Sequence, residues 1–343
     1  MDKPKSILIR IPNWLGDAVM ASPVIAEIKK AHQDAKITIL GKKSAATLFL
    51  ADPHVDDTVI LDPDESTESL AKKLRANQYD IAILLTNSFS SAWLIYRAKI
   101  PIRVGYAKDL RGWLLTHRLP YSKDRTKKHH IKLYLDLVKE LGIESESGPK
   151  LYLLEKEKVE AKRVIDEMKL NDQILIGVNP SAAFGSSKCW PIERFHQLAK
   201  KLTEHPKISL LFFGDDSSFE KNESICSKVD KCHNFANKTS IRELMALTSK
   251  CDLFLTNDSG PMHIACALNR PVVALFGSTS PEATGPYNQG IYIRKKVECS
   301  PCFKRECPID FRCMMGIEVL QVYKEVMAEL SKSSSGGLCR MPK

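Results

Sequence analysis

Residues 251–277, Cys-Asp-Leu-Phe-Leu-Thr-Asn-Asp-Ser-Gly-Pro-Met-His-Ile-Ala-Cys-Ala-Leu-Asn-Arg-Pro-Val-Val-Ala-Leu-Phe-Gly, leave few folds open. Positions 252–256 and 271–276 are short apolar runs of the kind buried inside parallel sheets. Between them a short helix is marked by a cap at Asp258 or Ser259, by Gly260, and by Pro261 in the first turn. Strand, helix and strand in so short a span make a βαβ crossover, and a crossover requires an α/β chain with a parallel sheet. Ligands of doubly wound sheets bind at the carboxyl ends of the strands. A helix start there offers free N–H groups and the positive end of a dipole, which suits a diphosphate. His263, one turn in, is expected near the same end. The same residues also describe a well-capped helix with no ligand.

The N-terminal half repeats the alternation. A buried-strand run at 6–11 leads into Pro12-Asn13-Trp14-Leu15-Gly16-Asp17, and a helical pattern over 18–31 follows, with Val19, Met20, Val24, Ile25 and Ile28 on its apolar face. A strand at 37–40 closes the unit. No Gly-x-Gly-x-x-Gly follows the first strand, which argues against a dinucleotide cradle. A carboxylate, Asp17, stands there instead. As a helix cap it would contribute about 1 kcal/mol; at the open end of a strand it would face whatever occupies a cleft. A strand at 79–85 runs into the polar turn Thr86-Asn87-Ser88-Phe89-Ser90-Ser91-Ala92, where Asn87 or Ser88 can cap a helix, and 101–105 returns as a strand.

Glu144-Ser145-Glu146-Ser147-Gly148-Pro149 is polar and turn-rich, and it divides the chain into domains at 1–150 and 151–330. The second domain opens with a charged surface helix over 156–170 and a strand at 174–178. A long loop over 179–190 follows, then a helix from Pro191 with Phe195, Leu198 and Leu202 on its apolar face. A strand at 210–213 ends in Gly214-Asp215-Asp216, and an amphipathic helix over 241–247 delivers the chain to the crossover. The tail 331–343, with its Ser-Ser-Ser-Gly-Gly, reads as disordered.

Charge is concentrated. The net charge is +10 over 343 residues, and the segment 97–132 holds eleven Lys or Arg against Asp109 and Asp124, a net of +9. Such concentration points to an acidic partner. Tyr106, Trp113 and Tyr121 interleave with the cations, but no recognition motif for nucleic acid accompanies them. No run of 18 apolar residues exists, and no signal-peptide core precedes the first strand, which fits the cytoplasm. None of the ten cysteines precedes Cys189, so a disulfide scaffold is not expected. Cys299, Cys302, Cys307 and Cys313 follow a Cys-x2-Cys-x4-Cys-x5-Cys spacing that would bring four thiolates within reach of a zinc ion. The second pair lacks the tight zinc knuckle, so reduced thiols and no metal are the expectation.

Thr256-Asn257-Asp258-Ser259-Gly260-Pro261-Met262-His263, followed by Ala265, Ala267-Leu268-Asn269 and Pro271, resembles the signature of the ADP-heptose:lipopolysaccharide heptosyltransferases, glycosyltransferase family 9. The Gly16-Asp17 pair, the Asn87-Ser88-Phe89-Ser90-Ser91-Ala92 turn and the loop from Pro180-Ser181-Ala182-Ala183-Phe184-Gly185 to Lys188-Cys189-Trp190-Pro191 match in order; the second and third favour the type II branch. The resemblance implies a GT-B fold of two Rossmann-like doubly wound domains facing across a cleft. It implies inverting, metal-independent transfer of heptose from ADP-heptose to the first inner-core heptose of lipopolysaccharide, on the cytoplasmic face of the inner membrane and without a cofactor. Asp17 is then the general base. Lys188, Asp258, Ser259, Gly260 and His263 meet the donor, and Asp215 or Asp216 lies near its ribose. The polar turn, through Asn87 and Ser88, and the basic segment, through Arg125, Lys127 and Lys128, are assigned to the anionic acceptor and the membrane surface. Competing expectations are a type I or other family 9 transferase, a non-catalytic sugar-nucleotide binder, and a nucleic-acid binder.

Overall fold

The runs of Val, Ile and Leu form the middles of two parallel sheets in the computed structural model, which describes residues 3–121, 126–287 and 290–335. The chain divides into two units, Met1–Tyr152 and Leu153–Lys343. In the first, β1 (Ser6–Arg10), β2 (Lys36–Gly41), β3 (Asp57–Ile60), β4 (Ile81–Leu84), β5 (Ile102–Ala107) and β6 (His117–Pro120) lie in the order β3-β2-β1-β4-β5-β6. Every pairing is parallel, with Leu8 opposite Thr38 on one side and Ala82 on the other.

The second unit holds β7 (Ile174–Asn179), β8 (Ile208–Phe212), β9 (Cys232–Asn234), β10 (Leu253–Asn257), β11 (Val272–Phe276) and β12 (Gly290–Arg294) in the order β12-β11-β10-β7-β8-β9. Helices cover both faces of this sheet. Ile192–Thr203 and Val319–Ser335 pack Phe195, Leu198, Val322 and Val326 against one side. Glu155–Glu167, Ile241–Thr248 and Gly260–Ala267 pack Ile165, Leu247 and Met262 against the other. Each fully buried Leu or Ile contributes roughly 1.5–3 kcal/mol, which is why the middles of the central strands are mostly apolar. Gly177 in β7 is a requirement of that packing, since a Cβ there would lie 2.5 Å from the ring of Phe254. Two Rossmann-like α/β units in succession are the composition of a GT-B chain.

Two expectations need correction. The helix expected over 18–31 is two helices, Leu15–Met20 and Ser22–Ala31, because Pro23 has no N–H to continue the first ladder and sits instead in the first turn of the second. The last helix runs to Ser335, into the segment expected to be a disordered tail, because Val322, Val326 and Leu330 recur on one buried face; residues 336–343 lie outside the described residues. Among the described residues, no helix is long and apolar enough to cross a membrane.

Candidate active site

In both sheets the strand order reverses beside the first strand, between β1 and β4 and between β7 and β10. The carboxyl ends of those strands form the crevice in which doubly wound folds bind ligands. Asp17, Asn87 and Ser88 follow strands at the first of these crevices, and Asp258, Ser259 and Gly260 follow β10 at the second.

In the N-terminal unit, Asp17 follows β1 as the third residue of helix Leu15–Met20. It is not the cap: Trp14 holds that position, with φ −80° and ψ 138°, and makes no side-chain cap bond. The Asp17 side chain is 30% exposed and is gripped from a distant helix, His130–Lys139. The Tyr134 hydroxyl donates to Asp17 Oδ1 at 3.2 Å, and His130 Nδ1 lies 3.5 Å from the same oxygen. Four residues apart, His130 and Tyr134 share one helix face, so a single element fixes both contacts. Such a carboxylate, part-exposed and held in one orientation, is equipped to accept a proton. Sequence reasoning missed both partners. The only local signal was a His and a Tyr at helical spacing.

After β4, Ser88 is the cap of helix Phe89–Arg97 and accepts from Ser91 N at 3.3 Å, so the ordinary capping role of this turn is realised. The turn is stapled from below by Arg111. Its guanidinium donates to the carbonyls of Thr86 (2.7 Å), Ser88 (3.2 Å) and Tyr106 (2.8 Å), and more weakly to Asn87 Oδ1 (3.4 Å). Arg111 is fully buried, and burial lowers its pKa to about 10. Arg10, at the end of β1, is also lowered to about 10 by burial and donates to the Ile11 carbonyl and to Asn13 Oδ1.

The basic segment is therefore less free than its count suggests. Arg97 pairs with Glu68 at 2.6 Å, Lys128 pairs with Asp136, and Arg103 is spent on the carbonyls of Ile100, Pro101 and Leu114. Lys127 is a described residue; Arg125 lies outside the described residues.

The C-terminal unit builds a tighter constellation. Asn179 and Asn257, at the ends of β7 and β10, knit the loop over 180–190 to the helix start. Asn179 Nδ2 donates to the Ser181 carbonyl (2.7 Å) and to Ser259 Oγ (3.1 Å). Asn257 donates to the Pro180 carbonyl (2.7 Å) and accepts from Trp190 N (3.0 Å). Gly185, at φ 152°, is needed there because a Cβ would meet the Arg305 carbonyl at 2.3 Å. The loop thus delivers Lys188, whose Nζ lies 2.5 Å from Asp258 Oδ2, with only 13% and 4% of the two side chains exposed. Thr279 Oγ1 donates to the same Asp258 oxygen at 2.6 Å, and the Lys188 ammonium also sits 4.8 Å above the Phe184 ring.

Ser259 is the cap position of helix Gly260–Ala267 and makes no side-chain cap bond; its hydroxyl meets Asn179 and Thr256 instead. Neither Asp258 nor Ser259 caps through its side chain, contrary to expectation, because each is engaged elsewhere. His263 is buried within the helix. Asn179, Asn257 and Thr279 were not singled out beforehand, although the first two stand at strand ends where such residues tie loops.

Asp215 accepts from Ser217 and Ser218 at 2.6 and 2.8 Å, chiefly the first of which holds its carboxyl below the usual range, while Asp216 accepts from Asn237 at 2.8 Å. All nine described cysteines are free thiols. The described residues contain no group of three or more His, Cys, Asp or Glu side chains arranged to hold a metal ion.

The sequence profile "Glycosyltransferase family 9 (heptosyltransferase)" matches residues 67–311. The lipooligosaccharide heptosyltransferase 2 of Campylobacter jejuni serotype O:6 is 28% identical over 334 residues, 93% of this chain and 98% of the relative. Its namesake from Haemophilus influenzae is 30% identical over 310 residues, 85% and 89% of the two chains. The solved structure of E. coli ADP-heptose lps heptosyltransferase II superposes with a TM-score of 0.83 at 27% identity, covering 96% of this chain and 99% of that one.

Proposed function

The chain belongs to glycosyltransferase family 9, and we propose that it transfers L-glycero-D-manno-heptose from ADP-heptose to the first inner-core heptose of a heptosyl-Kdo-lipid A acceptor. The activities of the relatives that span nearly its whole length support heptose transfer in lipopolysaccharide core assembly. Asp17 carries the mechanistic part of the reading: it does not cap its helix, yet two side chains 113 and 117 residues away orient it.

Asp17 takes the proton of the attacking hydroxyl as that oxygen bonds to the anomeric carbon. The bond from that carbon to the ADP oxygen breaks on the opposite face, its electron pair leaves with the diphosphate, and the configuration inverts through an oxocarbenium-like state. Lys188 and the free N–H groups at the start of helix Gly260–Ala267 receive the growing charge. Asp258, itself held by Thr279, fixes the lysine in position beforehand, so the diphosphate shares a cation that is already placed. On the acceptor side, Asn87 and Ser88 present the turn after β4, and Arg125 and Lys127 supply charge for an anionic glycolipid, the charge of Lys128 being met by Asp136. A lipid acceptor places the work at the cytoplasmic face of the inner membrane.

The test is ADP release from ADP-heptose with Kdo-lipid A and heptosyl-Kdo-lipid A offered separately. Turnover only with the heptosylated acceptor is expected. The reverse preference overturns the acceptor, and release with neither overturns the donor.

A further inference from the structure

One surface of the N-terminal unit carries large apolar side chains for which the chemistry above has no use. Helix Phe89–Arg97 places Phe89, Trp93 and Tyr96 along one stripe, and the turn Arg111–Leu114 lays Trp113 against it. Ring centroids are 6.3 Å apart for Phe89 and Trp93, 5.8 Å for Trp93 and Tyr96, 6.5 Å for Trp93 and Trp113, and 5.8 Å for Tyr96 and Trp113. Four rings thus form one plate, and its outer side is open: Phe89 is 42% exposed, Tyr96 41% and Trp113 60%.

Beside the plate stands Leu110, 90% exposed. Its φ of 59° follows a φ of 51° at Asp109, two successive non-glycine residues in the left-handed region. That conformation costs on the order of 1 kcal/mol or more per residue, and here it holds a leucine out in solvent. Contiguous exposed apolar surface marks an interaction site.

The rim is cationic. The Arg97 guanidinium lies 5.6 Å from the Trp93 centroid and that of Arg103 5.6 Å from Tyr96. Lys99 and Arg118 are exposed, the latter within 4.0 Å of a Cβ built at Gly112 in the same turn. Tryptophan and tyrosine with an apolar tip and a rim of Lys and Arg are the chemistry of a bilayer interface with anionic headgroups. A second copy of the chain fits less well, because a two-fold contact would set one basic rim against another.

We infer that Leu110, Trp113, Phe89 and Tyr96 form an interfacial anchor that inserts into an anionic lipid bilayer, with Lys99 and Arg118 on its headgroups. The inference rests on the lipid-acceptor reading and names the surface that meets the membrane.

Flotation with vesicles of phosphatidylcholine alone, and of phosphatidylcholine with phosphatidylglycerol, tests it on the full chain. The parent is expected to float with the anionic vesicles, with a blue shift of tryptophan emission, and far less with the neutral ones. Leu110→Asn suits the left-handed backbone, so it removes the apolar tip without stressing the fold. Leu110→Asn with Trp113→Ala is expected to weaken vesicle binding by about tenfold or more, given the apolar area the two side chains bury. Lys99→Glu with Arg118→Glu is expected to abolish the preference for anionic vesicles.

Unchanged vesicle binding in the Leu110/Trp113 variant overturns the anchor. So does a parent that stays off both vesicle types while the variant alters only dimerisation or the capture of an acidic protein. A deacylated heptosyl acceptor separates the two proposals. Equal turnover on it by parent and variant is expected, whereas absence of turnover by the parent counts against the functional reading and leaves the vesicle result to be judged alone.

Discussion

The two sheets have the same strand order, two strands wound to one side of the first and three to the other, yet they treat buried charge in opposite ways. At the carboxyl ends of the N-terminal strands the buried cations are Arg10 and Arg111, and both spend their hydrogen bonds on carbonyls and an amide oxygen. Burial depresses both, to about 10, and the nearby charge of Asp109 offsets the desolvation of Arg111 only in part. At the C-terminal crevice the buried cation is Lys188, and it meets a buried carboxylate, Asp258, that also accepts from a threonine. A planar guanidinium can tie three carbonyls at once and so works as a staple, whereas an ammonium is a point charge that can be handed between anions. One crevice is therefore braced by its cations, and the other holds its cation on a buried carboxylate.

The largest expected effect lies on the braced side. Asp17→Asn is expected to lower turnover by about 100-fold or more, the usual scale for a lost general base, while ADP-heptose binding stays within error. Near-normal turnover would remove Asp17 from the chemistry.

Lys188→Ala sharpens the contrast from the other side. ADP binding is expected to weaken by roughly 10-fold or more and adenosine binding hardly at all, since the lost contact is a charge-assisted bond to phosphate. The same variant leaves the buried Asp258 without its cation, which costs roughly 3 kcal/mol of stability in a denaturant titration. Adding Asp258→Asn is expected to recover most of that stability and none of the ADP affinity. Recovery of both would mean that the pair has no part in donor binding.

Arg111→Met removes the staple while keeping the apolar stem. A loss of about 2–3 kcal/mol of unfolding free energy, read as a lower urea midpoint, is expected from the stranded carbonyls of Thr86, Ser88 and Tyr106, with donor affinity unchanged. A loss of ADP-heptose affinity would break the division of labour between the two crevices.

The smallest effect is none. Because protein groups are proposed to meet the leaving charge, turnover is expected to be unchanged after exhaustive dialysis against EDTA. Activity abolished by the chelator and restored by magnesium or manganese would assign that charge to a metal instead. Unfolding with release of zinc would make the cysteine-rich stretch a structural site.

Much of the fold was legible because the middles of the central strands are buried on both faces and so are mostly apolar. Ile7, Leu8 and Ile9 in β1, and Val272 to Phe276 in β11, are wholly buried. The edge strands β3, β6 and β12 were not legible: Asp57–Ile60, His117–Pro120 and Gly290–Arg294 are short, half-exposed and mixed in polarity. Only a neighbouring strand makes such a segment a strand, as Thr38 to Gly41 does for Asp57 to Ile60. The candidate site divides along the same line. Asp17 and Asp258 stood out because each lies at a helix start that follows a strand, and Lys188 only through the resemblance of its loop to the family.

The sequence by itself determined the α/β alternation, the crossover at 251–277 and the family signature, because apolar periodicity and turn residues act over a few neighbours. Tertiary structure alone decided the partners. His130 and Tyr134 reach Asp17 across more than a hundred residues, Asp258 takes Lys188 from 70 positions away, and three cations of the basic segment are consumed by Glu68, by Asp136 and by backbone carbonyls. Charges and hydrogen bonds are settled by distance in space, and no spacing along the chain encodes that distance.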